Sequence, residues 1–301
     1  MSSRCRLSSV VCPMVLTLLL LTGSTRAEVG CVHVSSGDPD GYVFSIQEDP
    51  NPVPSAWIPL STTSFGMRVV LNADGAARGD GEPRMIDHPT TGVPIVVWSR
   101  HTNSDYDVVV SRFVGGAWTE PTVIAGSPEA ELDPSIAVDP TDGTVHVVYW
   151  VLASPPVPAS RAVHVQAPSD LSSWSTPINV SAPGEFAARP SATFHAGTLH
   201  VVYEAAIGDG PPYYVLLATR SQGSWTAGAL LGTSWFGDAL WPEIHSQGDT
   251  LWAEWIDAVD SMAWVEQEPG QLWGTPLSEE YTTFEDRDFF ARGRIRSQAL
   301  D

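Results

Sequence analysis

The sequence predicts an all-β protein, a β-propeller of about five four-stranded blades. Three observations carry that prediction. A proline opens a short apolar strand four times, at Pro83, Pro134, Pro190 and Pro242, with spacings of 51, 56 and 52 residues. An aromatic ends the following strand at Trp98, Tyr149, Tyr203 and Trp255, spaced 51, 54 and 52 residues apart. A tryptophan then leads a last strand at Trp118, Trp174, Trp225 and Trp273.

Each repeat reads in the same order. The first strand follows its proline, as in Pro134-Ser135-Ile136-Ala137, and a turn rich in Gly, Asp or His succeeds it. The second strands are Ile95 to Trp98, His146 to Tyr149, His200 to Tyr203 and Trp252 to Trp255. Third strands follow at Val108 to Phe113, Ala162 to Gln166, Tyr214 to Arg220 and Met262 to Glu266. The blades therefore span 82–126, 133–181, 189–232 and 241–280. Strands this short, rich in Val, Ile, Tyr and Trp and cut by turn residues, form antiparallel meanders. One such sheet cannot bury both faces alone, so blades must stack. The recurring tryptophans read as wedges between blades, each burying apolar area that stabilises by at most roughly 4–6 kcal/mol.

The chain ends complete the count. Tyr42 to Gln47 and Trp57 to Leu60 read as third and fourth strands, with Val32 to Val34 as a second. The missing first strand falls at Arg292 to Ala299, so a closing blade from 31–71 and 292–299 is expected to join both ends in one sheet. Residues 61–81, with Asp74-Gly75 and Gly79-Asp80-Gly81, read as a long loop.

The first 27 residues have the layout of a cleaved secretory signal: Arg4 and Arg6, an apolar run over Val10 to Thr22, then Thr25-Arg26-Ala27. The mature chain, 28–301, is then expected to be secreted or periplasmic, without membrane insertion. Cys5 and Cys12 leave with the signal, so Cys31 has no internal disulfide partner, and the fold depends on its core. The chain has no lysine. Loss of three arginines leaves 12 basic against 35 acidic residues, a charge that disfavours nucleic acid and anionic lipid. No metal or cofactor is implied: His146 and His200 hold equivalent strand positions, and Asp38 to Gly41 and Asp139 to Gly143 read as turns.

A propeller places its ligand at the mouth where the first strands begin. The residues before the four prolines are Glu82, Asp133, Arg189 and Trp241. Just past the second strands come Arg100, His101, Trp150, Glu204 and Asp257. Indoles that stack on sugar faces and charged groups that bond hydroxyls suit carbohydrate, with Arg189, Trp241, Arg100, His101 and Trp150 as binding candidates. Glycoside hydrolysis would need two carboxyl groups about 5–9.5 Å apart, and Asp133, Glu204, Glu82 and Asp257 are the candidates. The insertions Pro155 to Pro158 and Gly208 to Pro212 are candidate recognition loops.

The run Pro134-Ser135-Ile136-Ala137-Val138-Asp139, then Gly143, then His146-Val147-Val148-Tyr149, resembles the sialidase-like propellers, the BNR or Asp-box superfamily. A weaker copy lies at Pro190-Ser191-Ala192, Gly197 and His200 to Tyr203. That resemblance implies a Ser-x-Asp-x-Gly-x-x-Trp turn before each fourth strand. Here the tryptophan is kept, as in Ser169-Asp170-Leu171-Ser172-Ser173-Trp174 and Ser221-Gln222-Gly223-Ser224-Trp225, while Asp and Gly never occur together in place. For a sialidase it also implies an arginine triad on the substrate carboxylate, a Tyr/Glu nucleophile pair and an Asp acid/base; the usual Arg-Ile-Pro entry to the first blade is not present here, since Arg84 follows its proline and Arg189-Pro190 lacks the intervening residue. Three readings follow: a non-catalytic module binding a glycan or extracellular protein at its axial mouth, a sialidase-like exo-glycosidase, and a structural or adhesion module whose axial face is inert.

Overall fold

The structure, a computed structural model, describes residues 55–61, 64–70, 80–102, 105–152, 160–206, 212–226, 228–233, 238–257, 261–269 and 271–280. The expected signal and the strands at 32–34, 42–47 and 292–299 lie outside the described residues.

The chain begins its described course with a hairpin of β1 (Ser55–Ser61) and β2 (Ser64–Val70). This corrects the long loop expected from residue 61. Ser64–Val70 carries Phe65, Met67, Val69 and Val70, a strand composition despite Gly66, and the Gly/Asp-rich stretch begins at Asp74.

Four antiparallel meanders follow. The first contains β3 (Gly81–Asp87), β4 (Pro94–His101) and β5 (Tyr106–Val114). Its outer edge is split into β6 (Ala117–Trp118) and β7 (Thr122–Ala125), both paired with β5. The second runs β8 (Ala130–Val138), β9 (Val145–Leu152), β10 (Arg161–Ala167) and β11 (Ile178–Asn179). The third runs β12 (Phe186–His195), β13 (Thr198–Ala206) and β14 (Tyr213–Ser221), edged by β15 (Ser224–Trp225) and β16 (Ala229–Thr233). The fourth is β17 (Ala239–Gln247), β18 (Thr250–Asp257), β19 (Ser261–Gln267) and β20 (Leu277–Glu280). The first strands touch in succession, β3 to β8, β8 to β12 and β12 to β17, so the blades stack in chain order.

The core lies between blades. One apolar cluster joins the first two sheets through Val97, Val110, Ile136 and Val147, with Trp174 against it. The same arrangement joins sheets two and three with Trp225, and sheets three and four with Trp273. Each of these tryptophans therefore seals its own blade against the preceding one. The aromatics that end the second strands, Trp98, Tyr149, Tyr203 and Trp255, are wholly buried. Burial of a large ring between sheets is the main stabilising term in a fold whose single sheets cannot stand alone.

Two serines tie neighbouring first strands. Ser135 Oγ accepts from the Ala192 amide at 3.0 Å, and Ser191 Oγ accepts from the Ile244 amide at 3.1 Å. Each is the residue after the strand-opening proline, so the Pro-Ser pair of the repeat is an inter-blade fastener.

Close approach also fixes Gly232 in β16. A Cβ there would lie 2.2 Å from Cζ2 of Trp255 in the next blade. Gly232→Ala should cost about 1–3 kcal/mol of stability by overpacking, measured by chemical denaturation, and Trp255→Phe in the same chain should recover part of it.

Candidate functional site

The four residues before the strand-opening prolines share one backbone state. Glu82, Asp133 and Arg189 have φ 47° and Trp241 has φ 55°, the left-handed region that side chains disfavour. In every blade this residue sits at a bulge. Pairing jumps from Gly81 to Arg84, Leu132 to Ser135, Ala188 to Ser191 and Leu240 to Glu243, while the partner strand advances one residue fewer. The proline in the bulge has no N–H, so the unpaired position leaves no orphan donor. Glycine would adopt this φ at least cost, yet none of the four is glycine.

The bulges bring Glu82, Asp133, Arg189 and Trp241 around one pit, with Arg84 and Glu243 completing its wall. Arg84 bonds Glu243, reaching from the first blade to the fourth. Arg189 donates from Nη1 to Glu204 Oε2 at 2.7 Å, and the Trp241 amide donates to Glu204 Oε1 at 2.6 Å. Glu204, 1% exposed, thus clamps an arginine of its own blade and the backbone of the next. The Arg189 guanidinium carbon lies 4.2 Å from the Trp241 ring centroid and 5.8 Å from that of Trp150, cation–π contacts that flatten the arginine between indoles.

Glu204 and Glu243 are therefore committed to arginines. Glu82 and Asp133 make no hydrogen bond or ion pair among the described residues. Burial first and the charge of Glu82 second push the Asp133 carboxyl up to about 6, against the opposing pull of Arg189 and Arg84. Burial also raises Glu204, partly offset by Arg189 and the Trp241 amide. The pit encloses about 20 Å³, room for about one water.

The other sequence candidates are placed elsewhere. Arg100 faces Asp107 of its own blade at 3.8 Å. The amide of His101 donates to Asp80 Oδ1 at 2.9 Å, and its buried ring stands edge-on to Tyr106. Asp257 is fully buried at the end of β18. None of these three lines the pit. Sequence reasoning missed Arg84 and Glu243, whose signal was their place just after the proline where the other blades carry serine. The insertions at 155–158 and 208–211 lie outside the described residues. Asp139 and Asp142 accept the Thr141 and Thr144 amides at 2.8 Å each, as turn-closing groups.

No family model and no curated protein matches the sequence. Solved structures do. A Penicillium chrysogenum alpha-L-arabinanase complexed with arabinobiose superposes with TM-score 0.58 at 14% identity, over 84% of this chain and 82% of that one. The Hadza microbial sialidase Hz136 gives TM-score 0.55 at 14% identity over 81% of this chain. This chain spans about half of that sialidase, 55% of its length. An endo-1,4-beta-xylanase from Bacteroides thetaiotaomicron gives TM-score 0.53 at 13% identity, over 86% of this chain and all of that one. The fold is a β-propeller like those of these structures.

Asp133 ties the pit to stability. Its folded pKa lies above the unfolded value, so the folded state favours the protonated form. The resulting penalty is absent below about pH 4, grows as pH rises through about 6 and is complete above it. Asp133→Asn should therefore raise stability by about 2 kcal/mol at about pH 8, and that gain should vanish near pH 4. Denaturant midpoints across that range check it.

Proposed function

We propose that the protein is a glycoside hydrolase acting at this mouth, with Asp133 as general acid and Glu82 as its partner carboxylate. The single observation that carries the reading is the pairing of these two uncommitted carboxyls beside Arg84 and Arg189. A raised carboxyl donates a proton to a glycosidic oxygen near neutral pH, and a second carboxylate serves as nucleophile or water-activating base. Arg189, held flat by Glu204 and the indoles, bonds hydroxyls of the sugar, while Trp241, 38% exposed, offers a stacking face. The likeness to an arabinanase, a xylanase and a sialidase supports glycan as the substrate class. In the same proposal, a fifth blade from the two chain ends closes the ring. The contact of Arg84 with Glu243 supports it, because it sets blades one and four facing each other.

In turnover, burial would keep Asp133 protonated, and the guanidinium groups would stabilise the carboxylate left on Asp133 as its proton passes to the leaving-group oxygen. Hydrolysis of aryl sialosides, arabinosides and xylosides by the purified protein tests the reading. Asp133→Asn and Glu82→Gln should each lower kcat by about 10²-fold or more while the fold survives. The wild-type rate should decline as pH rises above about 6, because the acid loses its proton.

The narrowness of the pit favours a second reading, glycan binding without turnover. In that case no substrate is cleaved, and retention on immobilised glycan is lost in Trp241→Ala. Absence of both turnover and retention would remove the mouth as a glycan site.

A further inference from the structure

At the end of the propeller opposite the mouth, a cleft opens between blades two and three. It encloses about 270 Å³, close to the lower bound of roughly 300 Å³ for small-molecule sites and suited to one small ring. Blade two contributes Asp139, Asp142, His146 and Gln166; blade three contributes Phe194 and Arg220.

Arg220 is the unusual member. Arg84, Arg100, Arg161 and Arg189 each sit on a carboxylate; Arg112 and Arg220 have no ion pair among the described residues, and of these two Arg220 lines the cleft. Arg220 makes no ion pair and no side-chain hydrogen bond among the described residues, and its Nε is sealed from solvent without a partner. The chain is rich in acidic residues, yet no carboxylate among the described residues pairs with it. Burial lowers its pKa, and burial together with the Arg220 charge holds His146 down at about 4. His146 bonds His164 at 3.0 Å and stacks on it, so the wall beside the guanidinium is a neutral, rigid pair. His146 also lies 5.3 Å from the Phe194 ring, which completes an aromatic wall.

The opposite rim is made of acceptors. Asp139 accepts the Thr141 amide and Asp142 accepts from both the amide and the side chain of Thr144, and each carboxylate has further lone pairs that can accept from a ligand. The cleft therefore presents one unpaired planar cation, a ring surface and two carboxylate acceptors a short way off. A simple anion would satisfy the guanidinium and meet only repulsion from the aspartates. A neutral sugar would satisfy the aspartates and offer the guanidinium hydroxyl acceptors but no counter-charge and no planar fork partner. A sugar that carries a carboxylate serves both, with its acid group in the fork of Arg220 and its hydroxyls donating to Asp139 and Asp142.

We propose that this cleft is a second ligand site that takes a carboxylate-bearing sugar, a uronic acid in chemical class, through Arg220. The site is independent of chemistry at the mouth, since it lies at the other end of the strands.

Calorimetric titration of the purified protein with D-glucuronate, D-glucose and acetate tests this directly. D-glucuronate should bind at one site, with acetate and D-glucose each weaker by at least about tenfold. Arg220→Gln should weaken D-glucuronate by about tenfold or more and Arg220→Lys by less, since lysine keeps the charge and loses the fork. A thermal melt confirms that both variants are folded, which the absence of partners for Arg220 leads one to expect. Asp133→Asn should leave the D-glucuronate affinity unchanged, which separates this site from the mouth whether or not turnover is found there. The proposal is overturned if D-glucuronate does not bind, if acetate or D-glucose binds as tightly, if Arg220→Gln leaves its affinity intact, or if Asp133→Asn abolishes it.

Discussion

The structure depends on a bulge repeated at the head of each first strand. One extra residue, turned to positive φ and followed by proline, is inserted where four strands converge. A regular strand would direct alternate side chains to the two faces of its own sheet, where the next blade covers them. The bulge breaks that alternation at one position per blade and turns a side chain toward the common axis. Proline makes the break tolerable, because the residue that leaves the ladder has no donor to lose. Left-handed φ at a non-glycine residue costs on the order of 1 kcal/mol or more, and the fold carries that cost four times. Interlocked sheets around each bulge hold it in place.

Around this frame the mouth is tuned by pairing. Glu204 is buried, and it is tolerated because Arg189 and the Trp241 amide satisfy it. Its role is positional: it sets the plane of Arg189 and locks blade three to blade four. Arg84 and Glu243 do the same between blades one and four. Once these four charges have matched one another, Asp133 and Glu82 remain, and burial decides the protonation of Asp133. The contrast between satisfied and unsatisfied carboxyls, set within one small pit, separates the groups that hold the blades from the two left without a partner among the described residues.

Much of this was legible in the sequence. The proline spacing marked the first strands, the aromatics marked the buried ends of the second strands, and the tryptophans marked the blade seams where Trp174, Trp225 and Trp273 now sit. The residue before each proline could be named because the repeat aligns all four. Its left-handed φ could not, because backbone angle is not written in residue type when the position holds Glu, Asp, Arg or Trp. Side-chain phase was the harder matter after the second strands. Trp150 and Glu204 stand one position beyond the buried aromatic, Arg100 and Asp257 two, so the pleat sends the latter to the other face. His101 follows one residue later, with its amide bonded to Asp80 and its buried ring edge-on to Tyr106 of its own blade. The isolation of Arg220 is a fact about neighbours, and only coordinates disclose those.

The left-handed positions have an evolutionary consequence. Because the bulge, not the side chain, determines which way the residue points, its identity can change while the scaffold beneath stays the same. Blades one to four already display an acid, an acid, a base and an indole from one identical perch. A lineage could exchange what the mouth recognises by altering single codons at these perches, leaving the hydrophobic seams untouched. Divergence of specificity and preservation of architecture would then proceed on separate residues, with little epistasis between them.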